Sequence, residues 1–446
     1  METSMTLLSA HIQFLDTQLA LIHIPLHLYS NFLQPILRLL LPASRPSSAG
    51  SNGSARPRKS WAYEHPFTNI SITPVECSIA CSRELAEDLF TSVRDHLDPE
   101  NRDQVSITHE DYIVMQVDGE GLDAGQRVLE LTSPLAMAGI SIFFITTYFS
   151  DYILVPLRAR EQVVKALEDR GFAFEHTTSS YVNPTAATSH NRSSASSFDL
   201  PSTPGTPPPT SINELETRTF ALLKRRNIVF AVDPSIRLVQ CAGSKDTSTA
   251  STTTRPLSGS LFISSNGHQN GGASSSTATP RPEDLLHLGL VKSLITAPHP
   301  TFLSLTLTDT EPASVLLEKR LLHNFAPAVL LGSKEDVLVP ITLDLRDLPL
   351  ESTGIVCGVA GRLVGGTTSS SSSLRCGGAS AWAANGAGFG GLADGGDLLP
   401  DAVEMSYLST ARAGTVMVAE AELGRAMEAL RGGGCSGEDP PGNGFI

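Results

Sequence analysis

The sequence lacks the residue clusters that mark catalytic and metal sites. Six cysteines in 446 residues are scattered without a zinc-ligand spacing or a disulfide framework, and the twelve histidines do not cluster. HExxH, GxSxG and Walker A motifs are absent, and Gly119, Gly121 and Gly125 are spaced wrongly for a dinucleotide fingerprint. These absences favour a binding protein over an enzyme, and they predict neither a cofactor nor a metal.

Positive charge is also scarce. The chain has 32 Lys and Arg against 46 Asp and Glu, a net charge of -14, and therefore no general affinity for nucleic acid or anionic membrane is expected. The apolar stretch 7–41 is interrupted by polar side chains such as Asp16 and Arg38, so no membrane span is predicted. Scattered cysteines fit a reducing compartment, and we expect a cytoplasmic protein.

The stretch 139–156, GISIFFITTYFSDYILVP, predicts a β-hairpin. Successive side chains of its first apolar run point to opposite faces of the predicted strand, and both faces carry bulky side chains. We therefore expect helices on one face and a neighbouring domain or ligand on the other. The flanking patterns predict a strand at 111–117, a helix at 126–138 that ends before Gly139, and a helix at 161–167.

This β-α-β-β-α pattern recurs near the C-terminus. Strand, helix, hairpin and helix are predicted at 336–345, 353–364, 403–418 and 422–431. Ile140 then aligns with Val403, and Thr147 aligns with Thr410. Such a repeat indicates a duplicated architecture.

Two further units complete the predicted α+β fold, four units in tandem separated by disordered insertions. In the first, residues 11–24 are predicted as one strand and 26–41 as a helix; in the third, a connector helix at 215–226 precedes a strand at 236–242. The predicted boundaries are 8–98 (unit 1, flexible insert 42–60), 105–175 (unit 2), 176–214 (disordered linker), 215–327 (unit 3, insert 243–281), 328–433 (unit 4, Gly/Ser-rich insert 365–400) and 434–446 (disordered tail).

A helix start in the fourth unit is the first candidate ligand site. Free amides at a helix N-terminus suit a carboxylate, and Gly354 allows a ligand to approach the backbone closely. The alternative is an ordinary N-cap, in which Ser352 or Thr353 serves the helix alone.

The predicted hairpin of the second unit offers two more candidates. Ser141 can hydrogen-bond an amino acid through its hydroxyl or through the backbone of Ile140 and Ile142, or it is simply a small sheet residue. Tyr148, Phe149 and Asp151, at the predicted turn, suit a protein contact, although Asp151 can also serve the turn alone.

The units, especially SPLAMAGISIFFITTYFSDYILVP, ESTGIVCGVAGRL and VEMSYLSTARAGTVMV, resemble ACT-domain proteins of the CASTOR type, as a divergent, fungal-like member. These are cytosolic arginine sensors with four ferredoxin-like ACT domains. The resemblance implies an amino acid bound between units 2 and 4 by Ile140, Ser141, Ile142, Ser352, Thr353, Gly354, Ile355 and Thr410. It also implies that Tyr148, Phe149 and Asp151 contact a GATOR-like complex upstream of TOR kinase, and it allows a homodimer.

Two departures from the family pattern bear on the ligand. The family's acidic residues fall here on Gly414 and on Ser352, which follows Glu351. A desolvated guanidinium needs a carboxylate partner, so arginine, another amino acid or no ligand all stay open. The hypotheses are an amino-acid-binding regulator, a ligand-free scaffold, or an allosteric subunit of an amino-acid biosynthetic enzyme. For the regulator, Ser141→Asp is predicted to abolish binding without unfolding the protein.

Overall fold

The computed structural model describes residues 9–40, 64–120, 124–174, 209–244, 282–372 and 403–431. The predicted insert at 42–60 and the tail at 434–446 lie outside these residues. So do most of the linker at 176–214 and most of the inserts at 243–281 and 365–400.

The first half of the described chain contains two β-α-β-β units. β1 (Ser9–Phe14) precedes the first unit, which contains β2 (Leu19–Ile24), a 3-10 helix (Leu26–Phe32), α1 (Leu33–Leu40), β3 (Phe67–Ile72), β4 (Cys77–Ser82), α2 (Arg83–Ala86), a π-helical turn (Glu87–Thr91), α3 (Ser92–Asp95), α4 (Pro99–Gln104) and β5 (Ser106–Ile107). The second unit contains β6 (Tyr112–Glu120), α5 (Ala124–Met137), β7 (Phe143–Thr146), β8 (Asp151–Pro156), a 3-10 helix (Leu157–Ala159), α6 (Arg160–Glu168) and β9 (Ala173–Phe174).

The second half repeats this arrangement. α7 (Ile212–Arg225) and β10 (Phe230–Val232) precede the third unit, which contains β11 (Leu238–Gly243), α8 (Pro282–Ile295), β12 (Leu303–Thr308), β13 (Ser314–Glu318), a 3-10 helix (Lys319–Asn324) and β14 (Leu330–Leu331). The fourth unit contains β15 (Leu338–Asp344), α9 (Ile355–Ser372), β16 (Met405–Ser409), β17 (Ala413–Ala419), a 3-10 helix (Glu420–Glu422) and α10 (Leu423–Arg431).

Strand order is the same in every unit. The hairpin strands β3 and β4 pair, β4 pairs with β2, and β5 lies on the other side of β2; the third unit repeats this order with β12, β13, β11 and β14. The second and fourth units follow the orders β7-β8-β6 and β16-β17-β15, and β1 and β10 add antiparallel to β6 and β15. The matching places of β1 and β10 indicate two similar halves.

The four units join edge to edge into a closed ring of twelve strands. β3 of the first unit pairs with β12 of the third, and β7 of the second unit pairs with β16 of the fourth. Contacts between β2 and β6 join the first unit to the second, and contacts between β11 and β15 join the third unit to the fourth. Helices pack outside the ring over two apolar cores, and a third core fills its interior. In β7, the first strand of the hairpin, Phe144 faces the helices, whereas Phe143 and Ile145 face the interior, which agrees with the expected two-sided burial.

Three sequence-based assignments need correction. The predicted single strand 11–24 is two strands, β1 and β2, because the chain turns at 15–18, after which β2 pairs with β4 whereas β1 pairs with β6. The predicted first strand of the hairpin begins only at Phe143, since 139–142 form a loop after α5. α7 packs on α9, where Arg362 Nε lies 2.8 Å from Glu216 Oε1, and β10 pairs with β15, so the connector lies with the fourth unit instead of the third.

Candidate functional site

A small cavity of about 50 Å³ lies where the second and fourth units meet. Its walls come from α5, the loop after α5, the loop before α9, and the β16–β17 hairpin. Of the predicted ligand residues, six line it and two, Ser141 and Thr353, do not; the six are Ile140, Ile142, Ser352, Gly354, Ile355 and Thr410. The structure thus brings together most of the residues that the resemblance implied.

The loop after α5 forms the second unit's wall. Gly139 has a φ of +71°, which favours glycine and ends the helix, and the amide of Ile140 bonds back to the carbonyl of Leu135 at 2.9 Å. Ile140 and Ile142 are thereby turned to the cavity. Ser141 between them is buried but lies outside the cavity wall, so a direct ligand contact through its hydroxyl is not part of this arrangement.

The N-terminus of α9 forms the facing wall. Gly354, with a φ of +80°, precedes the helix, and the amide of Gly358 bonds to its carbonyl at 2.8 Å. The amides of Ile355, Val356 and Cys357 have no partner inside the helix by geometry. Within the described part of the chain, neither Ser352 nor Thr353 accepts a hydrogen bond from them, so the simple N-cap alternative is not what this helix start shows.

Tyr407 supplies the most unusual polar group of the cavity. Its side chain is 1% exposed, and its hydroxyl has no hydrogen-bond partner in the described structure. Gly414, on the neighbouring strand, makes room for it, because a Cβ at 414 would lie 2.6 Å from the Tyr407 Oη. Burial raises the pKa of Tyr407, so the phenol is neutral at physiological pH.

Thr410 is already occupied by a protein contact. Its hydroxyl donates to Glu76 Oε1 of the first unit at 2.6 Å, and its amide bonds to the carbonyl of Ala413 at 2.9 Å. Glu76 also accepts from the amide of Arg412 and lies 2.5 Å from His23 Nδ1. Thr410 therefore fixes the hairpin turn that walls the cavity, and its hydroxyl is not available to a ligand.

Sequence reasoning missed four polar residues of the lining, namely Thr132, Cys357, Tyr407 and Ser409. Two are satisfied within the protein: Thr132 Oγ1 donates to the Val128 carbonyl at 2.8 Å, and Ser409 Oγ accepts from the Phe144 amide at 3.0 Å. Burial raises the pKa of Cys357 to about 11. The alternation in VEMSYLST could have placed Tyr407 and Ser409 on one face of a strand. It does not indicate which of the two hydroxyls has a hydrogen-bond partner within the protein.

The three residues predicted to contact a partner protein do not lie on one surface. Tyr148 and Phe149 are 40% and 48% exposed, and their rings meet edge to face with centroids 4.9 Å apart. The Tyr148 amide donates to Ser314 Oγ at 2.9 Å, which docks this turn on the third unit. Asp151 is 1% exposed and paired with Arg127 at 2.5 Å, so it does not lie on the surface with the two aromatic side chains.

Two other expectations concern membranes and metals. Among the described residues, no helix combines the length and the apolarity needed to cross a membrane. The same part of the chain holds no group of three or more His, Cys, Asp or Glu side chains arranged to bind a metal ion.

Comparison with known families identifies an ACT domain at residues 107–169, which span the second unit from its first strand to its second helix. No curated protein matches the sequence. Among solved structures, the chain is similar to protein Atu0741 from Agobacterium tumefaciens, with 19% identity, a TM-score of 0.21, and coverage of 37% of this chain and 94% of that one.

Two other similar structures come from aspartate kinases. The aspartate kinase from Synechocystis is 10% identical, with a TM-score of 0.27 over 94% of this chain and 55% of that chain. The regulatory subunit of aspartate kinase from Thermus thermophilus, in its ligand-free form, is 10% identical, with a TM-score of 0.22 over 35% of this chain and 96% of that one.

Proposed function

We propose that this protein is a non-enzymatic regulator made of four ACT-like units, which binds an amino acid between its second and fourth units. The observation that carries the proposal is the cavity itself, because one wall belongs to the matched ACT domain and the other to the fourth unit. ACT domains are regulatory domains that bind small molecules. The repeated strand order supports extending the ACT assignment to the other three units.

The proposed mechanism follows from the position of the cavity. A ligand whose carboxylate accepts hydrogen bonds from the amides at the start of α9 contacts both units at once. It therefore favours the arrangement in which the two units are close, and a partner protein can discriminate between arrangements. The contact from Thr410 to Glu76 extends the cavity wall to the first unit.

Tyr148 and Phe149 are the proposed partner contact. They are exposed aromatic side chains on a turn that is anchored to the third unit by Ser314, so they are presented in a fixed position. A GATOR-like complex in TOR signalling and an amino-acid biosynthetic enzyme are the two partner classes to distinguish. Co-purification of the full chain with one or the other decides between a nutrient sensor and a biosynthetic regulatory subunit.

The first experiment is differential scanning fluorimetry of the full chain against all twenty amino acids at millimolar concentration. A ligand that binds only the native state must raise its apparent stability, so at least one amino acid is expected to raise Tm. Absence of any shift, with calorimetry also negative, would favour the ligand-free scaffold.

A pair of neighbouring substitutions locates the site. Ser352 lines the cavity, whereas Thr353 is exposed and outside it. Ser352→Phe is expected to weaken binding at least about tenfold by filling the cavity mouth, while Thr353→Phe retains affinity. Equal effects of the two changes would place the ligand elsewhere.

The partner contact has its own control. Tyr148→Ser combined with Phe149→Ser is expected to abolish capture of the partner without changing amino-acid affinity. Val229 is 66% exposed on another part of the surface, so Val229→Ser should leave capture unchanged. If both variants capture the partner equally, the hairpin turn is not the contact.

A further inference from the structure

Among the residues that the structure describes, none that lines the cavity between the second and fourth units carries a charged side chain. Its polar side chains are the neutral groups of Thr132, Ser352, Cys357, Tyr407, Ser409 and Thr410. A guanidinium, an ammonium side chain or a second carboxylate would be desolvated there without a counter-charge, which is strongly unfavourable. The composition of the wall therefore selects against amino acids with charged side chains.

The nearby carboxylates do not change this conclusion. Glu76 lies behind Thr410 and is fully buried, and its two oxygens are already bonded to Thr410, the Arg412 amide and His23. Glu351 is exposed, pairs with Arg158 at 3.2 Å, and faces a separate cleft on the other side of Leu350. Neither carboxylate is placed to neutralise a cationic side chain in the cavity.

The size of the cavity points in the same direction. A volume of about 50 Å³ holds about four water-sized groups at about 10–15 Å³ each. The amino acids with the smallest side chains exceed this volume least, whereas an extended side chain such as that of arginine exceeds it most.

The Tyr407 hydroxyl is the recognition element that this cavity offers beyond the helix amides. It is buried and unpartnered in the described structure, Tyr407 belongs to the cavity lining, and the hydroxyl packs against Gly414, since a Cβ at 414 would come within 2.6 Å of it. A buried hydroxyl without a partner is costly, and a ligand polar atom that satisfies it is correspondingly favoured. In the proposed mechanism the carboxylate of the ligand binds at the start of α9. The polar atom that hydrogen-bonds the Tyr407 hydroxyl must therefore come from another part of the ligand.

We infer that the ligand is an amino acid with a short, uncharged side chain, and that the Tyr407 hydroxyl hydrogen-bonds a polar atom of that side chain. Serine, threonine and cysteine are thus expected to bind more tightly than alanine. This inference rests on the proposed function, because it specifies the ligand class of the same cavity.

Isothermal titration calorimetry of the full chain tests the ligand class. Serine, threonine, cysteine and alanine form one panel; arginine, lysine, glutamate and aspartate form the other. The first panel is expected to bind, with serine about tenfold tighter than alanine, and the second is expected not to bind. Binding of a charged amino acid that Ser352→Phe abolishes would overturn this inference and keep the proposed function; no binding of any amino acid would overturn the proposed function.

Tyr407→Phe tests the role of the hydroxyl. The substitution removes a group without a partner, so the fold should be retained, and the serine preference over alanine should disappear. Tyr112 lines a separate cleft and not this cavity, so Tyr112→Phe should leave that preference intact. An unchanged serine-to-alanine ratio in Tyr407→Phe would overturn the assignment of Tyr407.

Gly414→Ala provides an independent check. Alone, its methyl group collides with the Tyr407 hydroxyl and is expected to abolish binding. In the Tyr407→Phe background the next contact is the ring carbon Cζ at 3.5 Å, so alanine binding should return. Loss of alanine binding in the double variant as well would contradict the proposed arrangement of Tyr407 and Gly414.

Discussion

Thr410 of the fourth unit donates a hydrogen bond of 2.6 Å to Glu76 of the first unit, a buried contact between residues far apart in the chain. The same hairpin turn is held by a bond of 3.1 Å from the Ala411 amide to Ser78 Oγ. On the other side of the molecule, the Tyr148 amide contacts Ser314 Oγ at 2.9 Å in the same way. Each half therefore docks a hairpin turn on the other, which makes the cavity and the turn that carries Tyr148 parts of one connected structure.

Glu76→Ala is expected to destabilise the protein by about 3–5 kcal/mol, because several buried donors lose their acceptor at once. It should also weaken amino-acid binding, since the 410–413 turn walls the cavity. Urea unfolding and calorimetry measure the two effects. Glu335→Ala is the control: Glu335 is highly exposed, its pair with Lys319 is on the surface, and no measurable change is expected. A loss no greater for Glu76→Ala than for this control would contradict the anchoring role.

Gly358→Ala tests the packing of α7 on α9. A Cβ at 358 would lie 2.8 Å from Thr219 Cβ, and overpacking of this kind destabilises by about 1–3 kcal/mol. Gly424, in α10, has open space around it, so Gly424→Ala should be neutral or stabilise by about 0.5–1 kcal/mol. Both are measured by chemical denaturation. Similar changes in unfolding free energy for the two variants would show that the α7–α9 contact can accommodate the added methyl group without loss of stability.

The sequence was informative where local pattern determines structure. The hairpin strands, α5 with its end at Gly139, and the second repeat of the pattern at 338–431 could be predicted, because alternation and helical periodicity are properties of neighbouring residues. The places of β1 and β10 in the sheet could not be predicted, since these strands pair with β6 and β15, about a hundred residues away. Pairing at that distance depends on tertiary packing, which overrides local preference.

The site was predictable to a similar degree. Gly354 and Ile140 could be placed near the same cavity from a helix start and a strand start, together with the family resemblance. Tyr407 could not, because its importance comes from Gly414 on the neighbouring strand and from the lack of any partner for its hydroxyl. Asp151 was misassigned for a related reason: Arg127, which neutralises it, lies on a different element of the unit.

Cys357 can report on occupation of the cavity. Burial raises the pKa of its thiol to about 11, and the thiolate is the reactive form, so alkylation by iodoacetamide should still accelerate about tenfold per pH unit up to pH 9. A bound amino acid should slow this reaction, as followed by peptide mass spectrometry. Cys241 is buried away from the cavity and should not be protected beyond the general gain in stability. Equal protection of both thiols would argue against a ligand beside Cys357.

Arg127→Met should destabilise the protein in a pH-dependent way. Burial raises the pKa of Asp151, and the charge of Arg127 opposes this rise. An acid whose pKa is raised on folding favours the folded state below its unfolded-state pKa, and this contribution is lost as pH rises through the folded-state value. Without Arg127 the buried carboxylate has no counter-charge, so we expect a loss of about 3–5 kcal/mol at pH 7.

The same loss should shrink at pH 4.5, where the Asp151 carboxyl of the variant takes up a proton and no longer needs a counter-charge. Urea unfolding of wild type and variant at both pH values measures the difference. Arg170→Met serves as the control, because the pair of Arg170 with Glu130 at 2.9 Å is partly exposed and contributes little at either pH. A deficit in Arg127→Met that is the same at pH 7 and pH 4.5 would mean that Asp151 stays charged without Arg127, contrary to the effect of burial on its pKa.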